Sequence, residues 1–175
     1  EYLEKKAFLE SVIICMQGVL DYADRLAKLA FEKAKTAPTA ERRAELTEIA
    51  RICAKVPRKA PDSFYEALQF VLFIHLMIQI ESNGHSISMG RMDSYLKKYY
   101  DRDLAEKRID ADFTQQLCEC FLLKCFEANK LRDWGTTENL GGNQLFQTIT
   151  LGGQTQDGKT AVNDLSYLFL EALGN

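Results

Sequence analysis

The longest apolar run of the chain is ALQFVLFIHLMIQI, residues 67–80. Eleven of its fourteen residues are apolar, and only Gln69, His75 and Gln79 interrupt it. A membrane-spanning helix needs about 20 consecutive apolar residues, so the run is too short for that role. A helix that is apolar on all sides is typical of the interior of a large soluble protein. We therefore expect a buried helix here, within a helix-rich protein.

The 175-residue chain has the composition of a globular protein, with 46% hydrophobic and 27% charged residues. Its net charge of −3 argues against binding of nucleic acid or an anionic membrane surface through bulk charge. The five cysteines are odd in number, no spacing among them suggests a disulfide framework, and no signal peptide opens the chain. We therefore expect a reducing, cytoplasmic location.

Helical periodicity and capping residues predict five further helices and one strand. A long first helix has apolar residues at helical spacing from Phe8 to Leu29, and the chain opens inside this pattern. Thr39 is a candidate N-cap for a second helix, and the prolines of 56–61 mark a connector. The buried helix is expected to begin at Pro61 or Asp62 and to extend from Ser63 to about Ile80, and a short helix to follow over Asp93–Tyr100. A further helix is expected to be capped by Asp110 or Asp112 and to have Phe113, Leu117, Phe121 and Cys125 on one face. After it we expect a loop over Trp134–Gly142, a strand over Leu145–Leu151 and a turn at Asp157-Gly158. A last helix is expected to be capped by Asn163 or Asp164.

A polar segment directly follows the buried helix: ESNGHSISMGRMD, residues 81–93. Polar side chains next to the most apolar part of a chain indicate where a ligand site is worth seeking. His85 stands between Gly84 and Ser86, where the backbone can come close to a ligand and both side chains can offer hydrogen bonds. The residues alone leave a ligand role and a structural role for His85 equally open. His75, inside the apolar run, is expected to be a hydrogen-bonded core residue.

No standard catalytic or metal-binding motif occurs in the sequence. Zinc sites use cysteines or histidines in spaced pairs, whereas Cys118 and Cys120 point about 200° apart on one helix. Cys118, Cys120 and Cys125 are therefore expected to be small buried hydrophobic residues and not metal ligands. No phosphate-binding glycine loop occurs either, and Gly152-Gly153 is interpreted as a turn that ends a strand.

Three stretches of the sequence resemble the glycyl radical enzymes of the pyruvate formate-lyase superfamily. The first is ELTEIARICAKVP, residues 45–57, followed by FYEALQ, residues 64–69. The second is segment 81–93, which is similar to a signature of the dehydratase and lyase branch, with its glycerol-dehydratase-like members. The third is LFQTITLGGQ, residues 145–154, with two further matches downstream. These stretches lie in the family order, so residues 1–175 are expected to form one partial domain of that family.

The resemblance implies both a fold and a chemistry. The family fold is a ten-stranded α/β barrel wrapped in helices, so this mainly α chain, with a few short β-strands, is expected to be the N-terminal part of the barrel and its outer helices. In the family, a glycyl radical takes hydrogen from a cysteine, and the resulting thiyl radical takes hydrogen from the substrate. A separate activating enzyme, which uses S-adenosylmethionine and an iron–sulfur cluster, installs the glycyl radical. Burial keeps such radicals from water and oxygen, which implies an anaerobic enzyme.

The catalytic residues of the family lie outside the stretches that match this chain. The family's Cys-x-Glu loop follows the glycine-rich stretch, the radical glycine lies further downstream, and neither string is present here. Cys125-Phe126-Glu127 has the same letters, but it lies in a predicted helix before the strand, and we interpret it as coincidental. The resemblance therefore implies an internal fragment without catalytic residues, which is not expected to catalyse the reaction alone.

The resemblance assigns part of the substrate pocket to this chain. In members that eliminate a hydroxyl group, the His and Ser of the corresponding turn bind the substrate hydroxyls, because loss of water requires groups that hold them in line and support proton transfer. Arg91 and Asp93, by contrast, are expected to form a structural pair. The residues implied to bind the substrate are His85 and Ser86 directly, Asn83 through the shape of the turn, and Phe146 as an aromatic residue that borders the pocket.

Several reactions share this signature. We favour a dehydratase acting on a small hydroxylated molecule, with a carbon–nitrogen or carbon–sulfur lyase, or a formate acetyltransferase, of the same superfamily as the alternative. A different class is also open, a truncated and non-catalytic helical protein with a structural or binding role. An excised segment would expose the apolar faces of 67–80, whereas a binding module would unfold cooperatively. The expected partners are the substrate, the activating enzyme and a second copy in a homodimer, but neither nucleic acid nor a membrane.

Overall fold

The computed structural model describes residues 1–82, 84, 86–128, 133–140 and 147–174. These residues fall in two compact units, Glu1–Pro61 and Asp62–Asn175, and the division coincides with the predicted proline connector. A family domain can consist of several such units, so the expectation of one partial domain stays a prediction. In chain order the elements are α1 (Tyr2–Lys35) and α2 (Ala40–Lys55) in the first unit, and α3 (Phe64–Glu81), β1 (Ser88–Arg91), α4 (Met92–Ala105), α5 (Ala111–Glu127), α6 (Trp134–Leu140), β2 (Thr148–Thr150) and α7 (Asp164–Gly174) in the second.

The first unit is a pair of helices joined by a short turn. Thr39 is the N-cap of α2, as predicted, because its side chain accepts a hydrogen bond from Arg42 N at 3.2 Å. The apolar face of α1 is buried only from Val19 onwards, whereas Phe8 and Val12 are exposed. With 34 residues, α1 is about 51 Å long, against about 24 Å for the 16 residues of α2. The shorter helix can therefore cover only about half of α1.

The core of the second unit is formed by residues of α3, α4, α5 and α7. Phe64 and Phe73 of this helix are fully buried, but Ile78 and Ile80 near its end are 42% and 72% exposed. The chain itself therefore leaves part of the 67–80 run uncovered, as expected of an excised segment. The 67–80 run alone is too short to cross a membrane, but α3 extends it to 18 residues, so by length and composition alone this helix could do so. Core helices of soluble proteins pass the same test. The buried core comprises Phe64, Ala67, Leu68, Met92, Leu96, Tyr100, Leu117, Cys118, Phe121, Cys125, Leu165 and Phe169.

The N-terminus of α3 is capped by Ser63 and not by Pro61 or Asp62, so the expected start was wrong by one or two residues. Ser63 Oγ accepts a hydrogen bond from Glu66 N at 3.2 Å, and Glu66 Oε2 accepts one from Asp62 N at 2.7 Å. A serine followed by glutamate three residues later is a common start signal for a helix. These bonds satisfy backbone N–H groups that have no partner within the helix.

Replacing Ser63 by alanine is expected to lower the free energy of unfolding by about 1 kcal/mol, because Glu66 N loses its capping acceptor. Denaturant unfolding measures the change. The matched control is Thr47→Ala, since the Thr47 hydroxyl donates to the Arg43 carbonyl inside α2. Alanine is favoured inside helices, so this control is expected to be neutral or stabilising. Equal losses in both variants would contradict the capping role.

Two other caps are as predicted, and one predicted loop is wrong. Asp110 Oδ1 accepts a hydrogen bond from Phe113 N at 2.8 Å at the start of α5. Asn163 Oδ1 accepts one from Leu165 N at 3.0 Å at the start of α7. The predicted loop over 134–142 is wrong for residues 134–140, which form α6, and 141–142 lie outside the described residues. The missed signal is Asp133, whose Oδ1 accepts from Thr136 N at 3.0 Å in the pattern of an N-cap.

The two strands form a parallel pair. Ser88 is aligned with Thr148, Gly90 with Ile149 and Arg91 with Thr150, with an irregularity between Ser88 and Gly90. The described strand β2 is shorter than the predicted one, and β1 was not predicted, because its four residues have no apolar alternation of their own. Parallel pairing needs a crossover connection, and short isolated pairs are marginally stable. The pair is therefore typical of a piece of a larger sheet, which agrees with a segment of a barrel.

Candidate functional site

The turn that follows α3 begins with a backbone hydrogen bond that ends the helix. Gly84 N donates a hydrogen bond to the Gln79 carbonyl at 2.7 Å, five residues back, as at many helix C-termini. Gly84 is buried with φ +71°, a conformation that only glycine adopts without strain. Ser86 is exposed and has φ +50°, which is uncommon for a residue with a Cβ. Backbone held in this region clusters at functional sites.

Of the four residues expected to bind the substrate, the structure describes only Ser86. Asn83, His85 and Phe146 lie outside the described residues, so their roles stay predictions. Thr148 N donates to the carbonyl of Ile87 at 3.3 Å, where the turn runs into the parallel pair. Because the two strands are parallel, the chain enters both of them at the same end of the pair.

A polar network, most of it buried, lies next to the start of β2. His75 is 3% exposed, and its Nε2 lies 2.5 Å from Gln147 Oε1 and 3.3 Å from Gln79 Nε2. Gln147 Nε2 in turn donates to the Cys125 carbonyl at 2.8 Å. The prediction that His75 is a hydrogen-bonded core residue is confirmed. Its partner Gln147 was missed, because no sequence pattern connects residues 72 positions apart.

The orientation of the Gln147 amide determines the proton position on His75. Since the Gln147 amide nitrogen donates to Cys125, its oxygen faces the imidazole and can only accept. His75 Nε2 therefore has the proton and donates it to Gln147 Oε1. His75 Nδ1 is then an acceptor, and within the described ranges no donor reaches it.

The turn at Gly152-Gly153 is held by two side chains from the 81–93 segment. Asp93 Oδ2 accepts hydrogen bonds from Gly152 N at 2.6 Å and from Ser166 Oγ at 2.5 Å, while Arg91 donates to the Gln154 carbonyl at 2.9 Å. The expectation that Arg91 and Asp93 pair with each other is wrong: both bind the later turn because β1 and β2 are neighbours. The interpretation of the glycines as a turn that ends a strand is confirmed.

The cysteines fall into two groups. Cys53, Cys118 and Cys125 are buried, whereas Cys15 and Cys120 are exposed on this chain. The expectation of burial is therefore confirmed for Cys118 and Cys125 and wrong for Cys120. Burial raises the pKa of the thiols of Cys118 and Cys125 to about 12 and that of Cys53 to about 11. Cys125 lies within α5, as expected of a coincidental Cys-x-Glu string. Thiols with raised pKa values are unreactive at neutral pH.

The three buried thiols predict that stability falls in alkaline solution. They keep their protons in the folded state above pH 9, whereas thiols of the unfolded chain ionise near pH 8.5. The folded state then binds more protons, so the free energy of unfolding falls as pH rises from about 9 to about 11. Denaturant unfolding at a series of pH values measures this slope. Cys118→Ala is expected to reduce it and Cys120→Ala to leave it unchanged, so equal slopes would contradict the assignment.

The whole chain matches proteins of one family. The pyruvate formate lyase-like family model matches residues 1–175. A solved structure on 1,2-propanediol dehydration in Roseburia inulinivorans has a TM-score of 0.95 and 44% identity, covering 99% of this chain and 22% of that one. The glycerol-bound form of the B12-independent glycerol dehydratase from Clostridium butyricum has a TM-score of 0.92 and 45% identity, with the same coverage of 99% and 22%.

A relative with a different reaction is similar over the same range. Isethionate sulfite-lyase of Nitratidesulfovibrio vulgaris is 38% identical over 172 residues, which are 97% of this chain and 21% of that protein. The chain thus spans about a fifth of the length of the relatives that it matches.

Proposed function

Because this chain belongs to the pyruvate formate lyase-like family, we propose that it supplies part of the substrate pocket of a glycyl radical enzyme that removes water from a small hydroxylated substrate. The observation that supports this most is the turn after α3, where the buried Gly84 and the exposed Ser86 both have left-handed backbone on either side of His85. The similarity to the protein of 1,2-propanediol dehydration in Roseburia inulinivorans and to the glycerol dehydratase of Clostridium butyricum supports a diol as the substrate.

The proposed reaction converts a 1,2-diol, R–CHOH–CH₂OH, to the aldehyde R–CH₂–CHO and water. A hydroxyl group leaves one carbon with a proton, and a hydrogen atom moves to that carbon. His85 and Ser86 hold the two hydroxyl groups by hydrogen bonds and provide a path for the proton. The glycyl radical, installed by the activating enzyme, starts the reaction from outside this segment, and no residue of this chain is assigned to it.

The alternative reaction is cleavage of a carbon–sulfur bond with release of sulfite. It is favoured by the 38% identity to isethionate sulfite-lyase, which is close to the 44% and 45% of the two dehydrating proteins. Both reactions remove a group from the carbon next to the one that bears the radical. The same pocket position therefore serves either leaving group, and substrate trials must separate them.

The test is a substrate assay on the complete protein, activated without oxygen. Glycerol, 1,2-propanediol and isethionate are offered separately, while aldehyde and sulfite are measured and electron paramagnetic resonance records the glycyl radical. Aldehyde from a diol is the expected product. Sulfite from isethionate alone would establish the alternative, and a full radical signal without turnover of any of the three would contradict the proposal.

A variant at Cys125 tests whether its Cys-x-Glu string is coincidental. Cys125→Ala is expected to leave turnover close to that of the unchanged enzyme, because the thiol is buried in α5 and its pKa is raised to about 12. Steady-state turnover of the complete enzyme measures this. Complete loss of turnover, with normal folding and a normal radical signal, would show that Cys125 takes part in the chemistry.

We further propose that the complete protein is a cytoplasmic, anaerobic homodimer, bound neither to nucleic acid nor to a membrane. The five free cysteines support a reducing compartment. The net charge of −3 supports the lack of a nucleic-acid partner. Sedimentation of the complete protein tests the dimer.

A further inference from the structure

We propose that Thr148 is a specificity-determining residue of the substrate pocket, whose side-chain hydroxyl binds a third hydroxyl group of the substrate. The proposed function places a reacting hydroxyl group of R–CHOH–CH₂OH on Ser86, and Thr148 recognises the substituent R. This inference rests on the proposed function and deepens it, because it makes the substrate a triol such as glycerol and not a diol with an apolar substituent.

The two faces of β2 differ in what they contact. On one face, the Gln147 amide bonds to His75 of α3 and to the Cys125 carbonyl of α5. Ile149, two residues later, packs against the buried core. Successive side chains of a strand point to opposite faces, so Thr148, which is exposed, lies on the other face. Its hydroxyl group therefore points away from α3 and α5.

The face of Thr148 is an inner face in the complete fold. This chain matches a segment of a barrel whose strands are wrapped in helices. Because α3 and α5 lie on the face of Gln147, that face is the outer one. Interior-facing side chains alternate with exterior ones along each strand of a barrel, so Thr148 faces the interior.

Packing alone does not explain a hydroxyl group at this position. The interiors of barrels with parallel strands are filled mainly by branched apolar side chains, and valine differs from threonine chiefly by lacking the hydroxyl group. A hydroxyl group that is covered without a hydrogen-bond partner costs free energy. Among the residues that the structure describes, none bonds to the Thr148 hydroxyl, although its backbone N–H and carbonyl both have partners. A polar ligand inside the barrel supplies the missing partner.

Thr148 begins β2 beside the turn that contains Ser86. Its N–H donates at 3.3 Å to the carbonyl of Ile87, the residue directly after Ser86. Thr150 lies on the same face of β2, but it is aligned with Arg91, five residues beyond Ser86. Two residues along a strand span about 6.6 Å, which puts Thr150 that much further from the turn. A three-carbon substrate on Ser86 therefore meets Thr148 before Thr150.

The neighbouring hydroxyl group on β1 is engaged within the strand pair. Ser88 is aligned with Thr148, and its hydroxyl donates to the Thr148 carbonyl and accepts from Gly90 N, both at 3.4 Å. Gly90 has φ +70° and stands at the irregularity of β1, where one strand has an extra residue. Ser88 is therefore assigned to the strand pair and not to the ligand.

The test compares the binding of glycerol and of 1,2-propanediol, which has a methyl group in place of the third hydroxyl group, to the complete protein before activation. Isothermal titration calorimetry gives both affinities without turnover. Thr148→Val removes the hydroxyl group, and Thr148→Ser keeps it. Thr150→Val makes the same change one strand repeat further from Ser86, and Ile149→Val changes the opposite face. Thr148→Ala replaces Thr148→Val if that variant does not fold.

We expect the unchanged protein to bind glycerol about 10-fold more tightly than 1,2-propanediol, as one additional hydrogen bond would give. Thr148→Val is expected to weaken glycerol binding by about the same factor and to leave 1,2-propanediol binding unchanged, whereas Thr148→Ser keeps the preference. Thr150→Val is expected to leave both affinities unchanged. Ile149→Val is expected to lower the melting temperature but to keep the preference for glycerol.

The outcomes separate this inference from the proposed function. Absence of glycerol binding, or equal binding of the two ligands by the unchanged protein, would overturn the role of Thr148. A preference that persists in Thr148→Val, or that Thr150→Val abolishes equally, would overturn it as well. Turnover after activation tests the proposed function separately. An enzyme that dehydrates neither ligand contradicts the proposed function, while the binding affinities still decide for or against Thr148.

Discussion

Replacing His85 by alanine in the complete, activated enzyme is expected to lower turnover of the diol by about 10²- to 10⁴-fold, the usual contribution of a positioned acid or base. The glycyl radical signal is expected to keep its full intensity, because no part of this turn is assigned to the radical. The physical reason is that the hydroxyl group leaves as water, so it needs a proton and must be held in a fixed orientation. We propose that His85, between Gly84 and Ser86, supplies both.

Ser88→Ala is the matched control for the His85 variant. Ser88 is exposed at the start of β1, three residues from His85, and its hydroxyl makes long contacts of 3.4 Å, donating to the Thr148 carbonyl and accepting from Gly90 N. Its loss is expected to leave turnover nearly unchanged. Unchanged turnover in His85→Ala would remove His85 from the pocket, and loss of the radical signal in that variant would mean that the substitution disturbs the barrel instead.

Replacing Asp93 by alanine is expected to lower the free energy of unfolding by about 3 kcal/mol. Asp93 is fully buried, and its carboxylate accepts hydrogen bonds from Gly152 N and from Ser166 Oγ. A hydrogen bond to a charged group contributes about 1.5–3 kcal/mol, and both donors would remain buried without an acceptor. Denaturant unfolding measures the loss, and hydrogen exchange of the Gly152 amide locates it.

Asp101→Ala on the same helix provides the comparison for Asp93. Asp101 pairs with Lys97 at 2.5 Å, but about half of each side chain is exposed to solvent. Exposed ion pairs contribute about 0–1 kcal/mol, so this variant is expected to lose at most that amount. Losses of the same size at the two positions would contradict the role of Asp93 in holding the Gly152 turn.

Local chemistry explains which elements could be predicted. The caps Thr39, Asp110 and Asn163 were identified because a capping side chain acts within three residues of itself. The same chemistry at Asp133 was overlooked, so α6 was expected to be a loop. Strand β1 was missed for another reason, since its pairing with β2 depends on residues 60 positions away.

The candidate site was predictable only in part. The resemblance indicated His85, Ser86, Asn83 and Phe146, and the structure describes the unusual backbone of Ser86 alone among them. His75 was noted as an interruption of the apolar run, but its hydrogen bond to Gln147 depends on how α3, α5 and the start of β2 pack. No spacing rule in the sequence contains that information.

The most direct test of the substrate pocket is a crystal structure of the complete enzyme with glycerol bound. We predict that side-chain atoms of His85 and Ser86 lie within hydrogen-bond distance, about 2.6–3.2 Å, of glycerol hydroxyl oxygens. Glycerol bound elsewhere, with both side chains turned towards other protein groups, would contradict the central claim that this segment forms part of the pocket.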